Sequence, residues 1–384
     1  MKKRNNSPGV LTIIKGLDFG GQSGGSDKFG FELCLCLKKM GCNSALLVFN
    51  RFGTEREKSA LNLLKSENIP LLMLEGKSAF PKLINKLVHL FCREYGLAIA
   101  HSHFQVGSLL AVILKKRKNV KKILRTAHIT QEWGKGLIPW AFRQVFTKHF
   151  FPKWFDAQIG VSQAVVNQIK SYKSTKGSRN KIDVIYNGIP LTWFEKTKNK
   201  ERDSNQKYQL IIGAIGLLVP RKGFKYLLQA MPKIIAQIHN CHLIVLGDGP
   251  QRNELKNIAK KLNIENYVSF EGQRDNMRSW LTKMDILVLP SLAEGLPTVI
   301  LESMATKVPV IATDIKGSRE LVIDEYTGWL VPTASPDEIA NKVVFAFTHS
   351  EKRNQVIEQA YQWAKKFTIE KAASQYMMLY DDLL

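Results

Sequence analysis

Short apolar runs alternate with amphipathic stretches along the whole chain. Residues 11–17, 45–49, 70–74, 97–101, 123–127 and 159–162 are dominated by Leu, Ile, Val and Ala, and turn or polar residues bound them. Such runs read as strands buried on both faces of a parallel sheet. Between them a 3.6-residue periodicity predicts helices over 28–40, 55–67 and 81–94, and another ending at 171. A charged stretch without apolar periodicity, 196–207, interrupts the pattern, which then restarts. Strands are expected over 209–215, 242–246, 268–270, 285–289, 308–312 and 329–332. Helices are expected over 224–238, up to 262, over 277–284, from 298, and over 336–347, 351–364 and 368–383. Alternation of strand and helix gives an α/β fold with parallel sheets. Two rounds predict two domains, 1–190 and 208–365, with a linker over 191–207 and a terminal helix over 366–384. A chain of 384 residues suits that number.

Ligands of open parallel sheets bind beyond the carboxyl ends of the strands. The loops there carry the candidate chemistry, and residues 285–302 are the most informative. The strand stops at Pro290, which cannot donate to a ladder, and the loop 291–297 holds Glu294. Gly295, Leu296, Pro297 and Thr298 lead into a helix whose free backbone N–H groups favour an anion such as a phosphate. Glu302 sits one turn in and leans back over the helix start. A carboxylate there accepts hydrogen bonds from both hydroxyls of a vicinal diol, and Glu294 reaches a second polyol.

Other strand ends add to this. Gly24 and Gly25 open a helix after the first strand, where a backbone can approach a phosphate closely. Their spacing departs from the dinucleotide fingerprint, and no acidic residue ends the second strand, which disfavours a nicotinamide enzyme. His101 and His103 end one strand and His128 the next; histidine is the usual proton carrier near neutral pH. Arg221 and Lys222 stand at a loop–helix junction, a second phosphate site. Gln273 and Arg274 follow the strand over 268–270.

Charge changes the picture more than composition does. The net charge is +23; residues 1–205 hold 35 Lys/Arg against 14 Asp/Glu (+21), and residues 206–384 hold 21 against 19 (+2). The first half is therefore drawn to anionic surfaces, lipid or nucleic acid. Within it, Trp133, Trp140, Phe142, Phe146, Phe150, Phe151, Trp154 and Phe155 interleave with Lys135, Arg143, Lys148, His149 and Lys153. That segment suits an interfacial membrane helix, a stacking surface for nucleic acid, or a core helix with a basic outer face. No recognised nucleic-acid motif is present, so no nucleic-acid partner is expected. Five cysteines, odd in number and without a CxxC pair, predict neither a zinc site nor a disulfide framework and fit a reducing cytoplasm. No apolar run reaches bilayer length.

Glu294 and Glu302, with seven residues between them, are flanked by Val-Leu-Pro-Ser, Glu-Gly-Leu-Pro and Leu-Glu-Ser-Met-Ala. With Gly24-Gly25, Asn187-Gly188 and Arg221-Lys222-Gly223, this stretch resembles the retaining glycosyltransferases of family 4. The likeness is specific from about 209 to 332 and loose over 1–205. It implies a GT-B fold: two Rossmann-like α/β domains facing a cleft, with the C-terminal helix crossing back to the first domain. It also implies transfer of a sugar from a nucleotide-diphosphate donor to an acceptor hydroxyl. In that setting Gly24-Gly25 face the donor diphosphate. Arg221, Lys222 and the N–H groups after Gly295 stabilise the leaving diphosphate, Glu302 holds the ribose and Glu294 the sugar hydroxyls. His128 assists near the anomeric centre, and the loop with Gln273 and Arg274 holds the base. Leu217 stands where the family has Arg, and Pro190 where it has Asp. No Asp-x-Asp occurs, so neither a metal nor another cofactor is expected. The expected partners are a nucleotide-sugar donor, a lipid-linked or saccharide acceptor, and an anionic membrane surface. The expected setting is cytoplasmic, peripheral on the inner face of the membrane, in lipopolysaccharide, polysaccharide or glycolipid synthesis. Two alternatives stand beside it: a non-catalytic GT-B protein that binds polyanions or nucleic acid through its basic half, and a nucleotide-sugar epimerase. Glu294, Glu302 and Lys222 argue against the first.

Overall fold

The computed structural model describes residues 8–19, 23–74, 81–128, 145–175, 180–195 and 208–384. The chain divides into two units: Met1–Gly188 together with Ile369–Leu384, and Ile189–Thr368.

The strands of the first unit are β1 (Gly9–Ile14), β2 (Ser44–Val48), β3 (Leu71–Met73), β4 (Leu97–Ser102), β5 (Lys122–Ala127), β6 (Ala157–Gly160) and β7 (Lys181–Val184). They form one parallel sheet in the order β3-β2-β1-β4-β5-β6-β7. β1 and β2 are buried at every position, which is why their sequences are continuous apolar runs rather than alternating ones. β7 escapes the apolar pattern because it is an edge strand that alternates exposed and half-buried positions. The helices are α1 (Gly25–Lys39), α2 (Glu55–Ser66), α3 (Pro81–Glu94), α4 (Gln105–Lys116), α5 (Phe151–Trp154) and α6 (Gln163–Ser171).

Of the aromatic–basic segment 133–155, residues 133–144 lie outside the described residues. The rest is a single π turn, Phe146–Phe150, running into α5. Its aromatics divide: Phe151 and Phe155 are core residues, whereas Phe150 is exposed. All five cysteines are free and buried.

The second unit carries β8 (Leu210–Ile215), β9 (Cys241–Leu246), β10 (Val268–Gly272), β11 (Ile286–Leu289), β12 (Val310–Thr313) and β13 (Trp329–Val331), a parallel sheet in the order β10-β9-β8-β11-β12-β13. Its helices are α7 (Phe224–Gln237), α8 (Arg252–Lys261), α9 (Met277–Leu281), α10 (Thr298–Ala305), α11 (Lys316–Arg319), α12 (Pro336–Thr348) and α13 (Ser350–Ala364). The start of the expected linker belongs to this unit. Leu191–Phe194 form a 3-10 turn, and the Tyr361 hydroxyl donates to the Phe194 carbonyl at 3.1 Å. Residues 196–207 lie outside the described residues.

The last helix, α14 (Ile369–Leu383), returns to the first unit. Ala372, Ala373, Tyr376 and Tyr380 pack with Phe29 and Leu33 of α1 and with Ile99 and Leu124 of the sheet.

Each strand order reverses once, between β1 and β4 in the first unit and between β8 and β11 in the second. At such a switch the flanking loops diverge and leave a crevice beyond the strand ends.

Candidate active site

At the switch of the second unit, β8 runs into a 3-10 turn, Pro220–Lys222. Gly223 closes it in the left-handed region, φ 65°. A Cβ there would lie 2.0 Å from the Pro290 carbonyl oxygen, so only glycine lets this turn rest on the end of β11. The Leu292 N–H donates to the Arg221 carbonyl at 2.7 Å and ties the two loops together.

That tie places Glu294 beside both cations. Lys222 Nζ lies 2.5 Å from Glu294 Oε1, and Arg221 Nη1 lies 3.2 Å from Oε2. The Ser291 hydroxyl donates to Oε1 at 2.7 Å. Burial alone would raise the Glu294 carboxyl, but Lys222 and then Arg221 outweigh it and hold the group below the usual range. The side chain of Glu294 is 7% exposed, Lys222 13% and Arg221 35%, so the arginine is the edge of the cluster that meets solvent.

Below it, the Thr313 hydroxyl at the end of β12 donates to the Ser291 carbonyl. Gly317 of α11 meets the same loop: a Cβ there would come 2.8 Å from the Glu294 carbonyl oxygen and 2.9 Å from that of Gly295. The N-terminus of α10 follows Pro297 and has no side-chain cap, so the first amides, from Thr298 on, have no capping side chain. Glu302, on that helix, is buried. Leu217 is exposed. Gln273 and Arg274 follow β10 at the sheet edge. Arg274 pairs with Glu271 at 2.6 Å and lies over the Trp280 ring, so it stands outside the Arg221–Lys222–Glu294 cluster.

At the switch of the first unit, Gly24 caps α1. Its N–H donates to Asp27 Oδ2 at 3.1 Å, and the Lys15 N–H to Oδ1 at 2.8 Å. Burial raises the Asp27 carboxyl in spite of these bonds. A Cβ on Gly25 would meet nothing within 4 Å, and one on Gly24 only the Ser26 hydroxyl at 4.0 Å. Packing therefore does not require glycine at either position.

Across the switch, β4 and β5 end in histidines. His101 is held at both nitrogens: Nδ1 to the Tyr380 hydroxyl at 2.7 Å and Nε2 to the Thr126 hydroxyl at 2.7 Å. Thr126 in turn bonds the Tyr376 hydroxyl at 2.8 Å. His103 Nδ1 lies 3.1 Å from His128 Nε2. His101 and His103 are wholly buried, whereas His128 is half-buried. Burial pushes all three imidazoles down, His128 to about 3 with Arg125 adding to it. They are neutral rings at physiological pH.

Known proteins match both units. A family model described as Glycosyltransferase Family 4 matches residues 23–193, and one described as Glycosyl transferases group 1 matches residues 195–363. The chain belongs to glycosyltransferase family 4. An uncharacterised glycosyltransferase of Methanocaldococcus jannaschii is 28% identical over 75% of this family 4 chain and 76% of its own length. The N-acetyl-alpha-D-glucosaminyl L-malate synthase of Bacillus anthracis is 27% identical over 79% of each. Among solved structures, Anabaena HepE in complex with UDP and glucose superposes with a TM-score of 0.79, covering 98% of this chain and 100% of that one at 18% identity. Sucrose-phosphate synthase from Thermosynechococcus elongatus gives 0.77 over 98% and 99%, at 20% identity. The fold of this family 4 glycosyltransferase is GT-B.

The motif residues Arg221, Lys222 and Glu294 meet in space. Sequence reasoning missed Ser291, Thr313 and Gly317, which hold the Glu294 loop, and Tyr376 and Tyr380, which brace the histidines. The Ser291-x-x-Glu294 spacing was a usable signal for the first. Nothing local marks the tyrosines, whose partners are 250 and 279 residues away. Among the described residues no three His, Cys, Asp or Glu side chains converge as a metal site, and no helix is long and apolar enough to cross a membrane.

Proposed function

We propose that this glycosyltransferase moves a sugar from a nucleoside-diphosphate sugar to an acceptor hydroxyl with retention of configuration and without a metal ion. The observation that carries the reading is the Lys222–Glu294–Arg221 cluster, at the switch point and on the same loop that enters the uncapped α10. One carboxylate against two cations leaves a net positive charge there. Fixed cations and free amides are what a leaving diphosphate needs as charge builds on it. The solved complex of HepE with UDP and glucose supports a nucleotide donor.

In this reading the bond from the anomeric carbon to the diphosphate breaks, and the diphosphate takes the electron pair. The acceptor oxygen bonds the same face of that carbon, and its proton passes to the leaving phosphate oxygen. Arg221, Lys222 and the amides around Gly295, Leu296 and Thr298 receive the diphosphate, and Pro297 sets the helix start. Gly24 and Gly25 leave the start of α1 open to a phosphate. Glu302 holds the ribose, Glu294 the sugar hydroxyls, and the loop with Gln273 and Arg274 the base. His128 assists near the anomeric carbon.

The acceptor is lipid-linked or saccharide, and the enzyme works at the cytoplasmic face of a membrane. Two observations support that placement: the charge excess of the first half, and an exposed apolar stripe on α4, Val106 and Ile113, that runs into Lys116 and Arg117.

A thermal-shift screen of UDP, GDP and ADP, with and without EDTA, tests the donor site. One nucleotide raises the midpoint, EDTA leaves that rise intact, and Glu302→Ala abolishes it. A rise that disappears with EDTA refutes metal independence. No rise with any nucleotide refutes the site.

A further inference from the structure

The histidine pair at the ends of β4 and β5 has one feature that decides its chemistry. A neutral imidazole carries one N–H and one bare nitrogen, so a bond between two such rings fixes both tautomers at once. His103 Nδ1 and His128 Nε2 share one hydrogen bond of 3.1 Å. Either His103 donates from Nδ1, or His128 donates from Nε2.

The other nitrogen of His103 separates the two cases. Nε2 of His103 is buried and has no hydrogen-bond partner among the described residues. The ring is packed closely. His101 lies with its centroid 4.2 Å away, Phe29 presents an edge at 5.9 Å, and a Cβ on Gly30 would come within 3.0 Å of His103 Cδ2. If His128 donated, His103 would carry its proton on Nε2, as a buried N–H with no acceptor. If His103 donates, Nε2 is only an unused lone pair. Orphaned buried N–H groups are the rarer and costlier of the two. The case in which a ring is protonated on both nitrogens is closed by burial, which holds all three rings neutral.

We propose that His103 is a positioning residue that donates from Nδ1 to His128 Nε2 and so fixes His128 as the Nδ1–H tautomer. His128 Nδ1 makes no hydrogen bond to the described residues, and the ring is half-buried. The proton therefore sits on the free nitrogen. His128 meets a ligand as a neutral hydrogen-bond donor. It is not a general base, because its basic nitrogen is occupied by His103. This consequence rests on the reading that His128 lines the donor-sugar site; the tautomer itself does not.

His101 completes the arrangement from behind. Bonded at both nitrogens to Tyr380 and Thr126, it cannot offer His103 Nε2 a partner, and it fixes the position against which the His103 ring stacks.

The test is a long-range proton–nitrogen correlation spectrum of the full chain labelled with 15N-histidine, with His128 assigned by loss of its signals in His128→Gln. The expected spectrum shows His128 protonated at Nδ1 and bare at Nε2 throughout pH 6 to 8. His103→Phe removes the donor and moves His128 to mainly the Nε2–H form, which an unconstrained histidine side chain favours in water. His103→Asn, whose amide N–H stands near the place of Nδ1–H, restores the wild-type pattern. A His128 that is Nε2–H in the wild type, or whose tautomer ignores His103→Phe, overturns the proposal. No ligand is needed for these spectra. A failure here is thus distinct from a failure of the nucleotide screen, which would refute the donor site and leave the tautomer standing.

Discussion

Glu294 is a nearly water-free carboxylate whose ionisation depends on Lys222 more than on Arg221. Its ordinary carboxyl value is 4.5, and in the folded chain it lies lower. The sign follows: the stabilisation is fully present above the unfolded value near 4.5 and is lost as pH falls through the lowered folded value. Replacing Lys222 by Met removes the closer cation, and burial then dominates and raises the carboxyl. Breaking such a buried pair costs about 3 kcal/mol at pH 7. The penalty shrinks toward acid pH, because a protonated Glu294 needs no cation, and it is largely relieved in Lys222→Met with Glu294→Gln. Urea unfolding at pH 7 and pH 5 measures it, and a penalty equal at both pH values would contradict the account. At this scale the charged members were legible in the sequence, because a loop motif carries them. Ser291 and Thr313 were not. The Ser291 bond to Glu294 spans only three residues and leaves no more than a spacing, while the Thr313 bond exists only because β11 and β12 lie side by side, and register is a property of the sheet rather than of the loop.

Elements were legible where one physical signal governs them. β1 and β2 are buried on both faces and read directly as apolar runs, whereas β7 at the edge and the four-residue α11 have too little burial or length to leave a pattern. Glycines divide in the same way once their surroundings are known. Gly317 is required by packing, since a Cβ would press on two backbone oxygens of the Glu294 loop. Gly25, at the first position of α1, has open space in front of it. A glycine without a packing reason at a helix start costs stability through its unfolded-state freedom. Gly25→Ala should therefore raise stability by about 0.5 kcal/mol and yet lower kcat/KM by roughly tenfold, because the methyl group occupies the approach to the helix amides. Gly317→Ala should lower both. Thermal midpoints and transfer kinetics on the two variants separate these cases. Unchanged kinetics in Gly25→Ala would remove Gly24-Gly25 from the donor site.

For the whole molecule, charge is the property that no single element explains. Residues 1–205 carry an excess of +21 and residues 206–384 only +2, so one half of the enzyme is electrostatically unlike the other. On α4 the exposed positions Val106 and Ile113, two helical turns apart, form a stripe that ends in Lys116 and Arg117. Gln105 bonds the Thr147 hydroxyl at 3.0 Å, and Lys116 Nζ lies 5.0 Å over the Trp154 ring, which in turn lies 4.9 Å from exposed Phe150. The described end of the aromatic–basic segment is thus continuous with the α4 stripe. An apolar strip rimmed by Lys and Arg is the composition that an anionic bilayer surface takes up. Each basic residue near such a surface contributes about 1 kcal/mol, screened over a Debye length of roughly 8 Å at physiological salt. The enzyme should therefore float with vesicles containing acidic lipid at physiological salt and be released as salt rises. Neutral vesicles should capture far less. Ile113→Ser with Lys116→Glu and Arg117→Glu should abolish flotation and slow transfer to a membrane-embedded acceptor. Transfer to a soluble acceptor should be unchanged, since these side chains stand outside the switch-point residues. Wild-type enzyme that stays free of acidic vesicles at physiological salt would sink the membrane reading and leave the transfer chemistry intact.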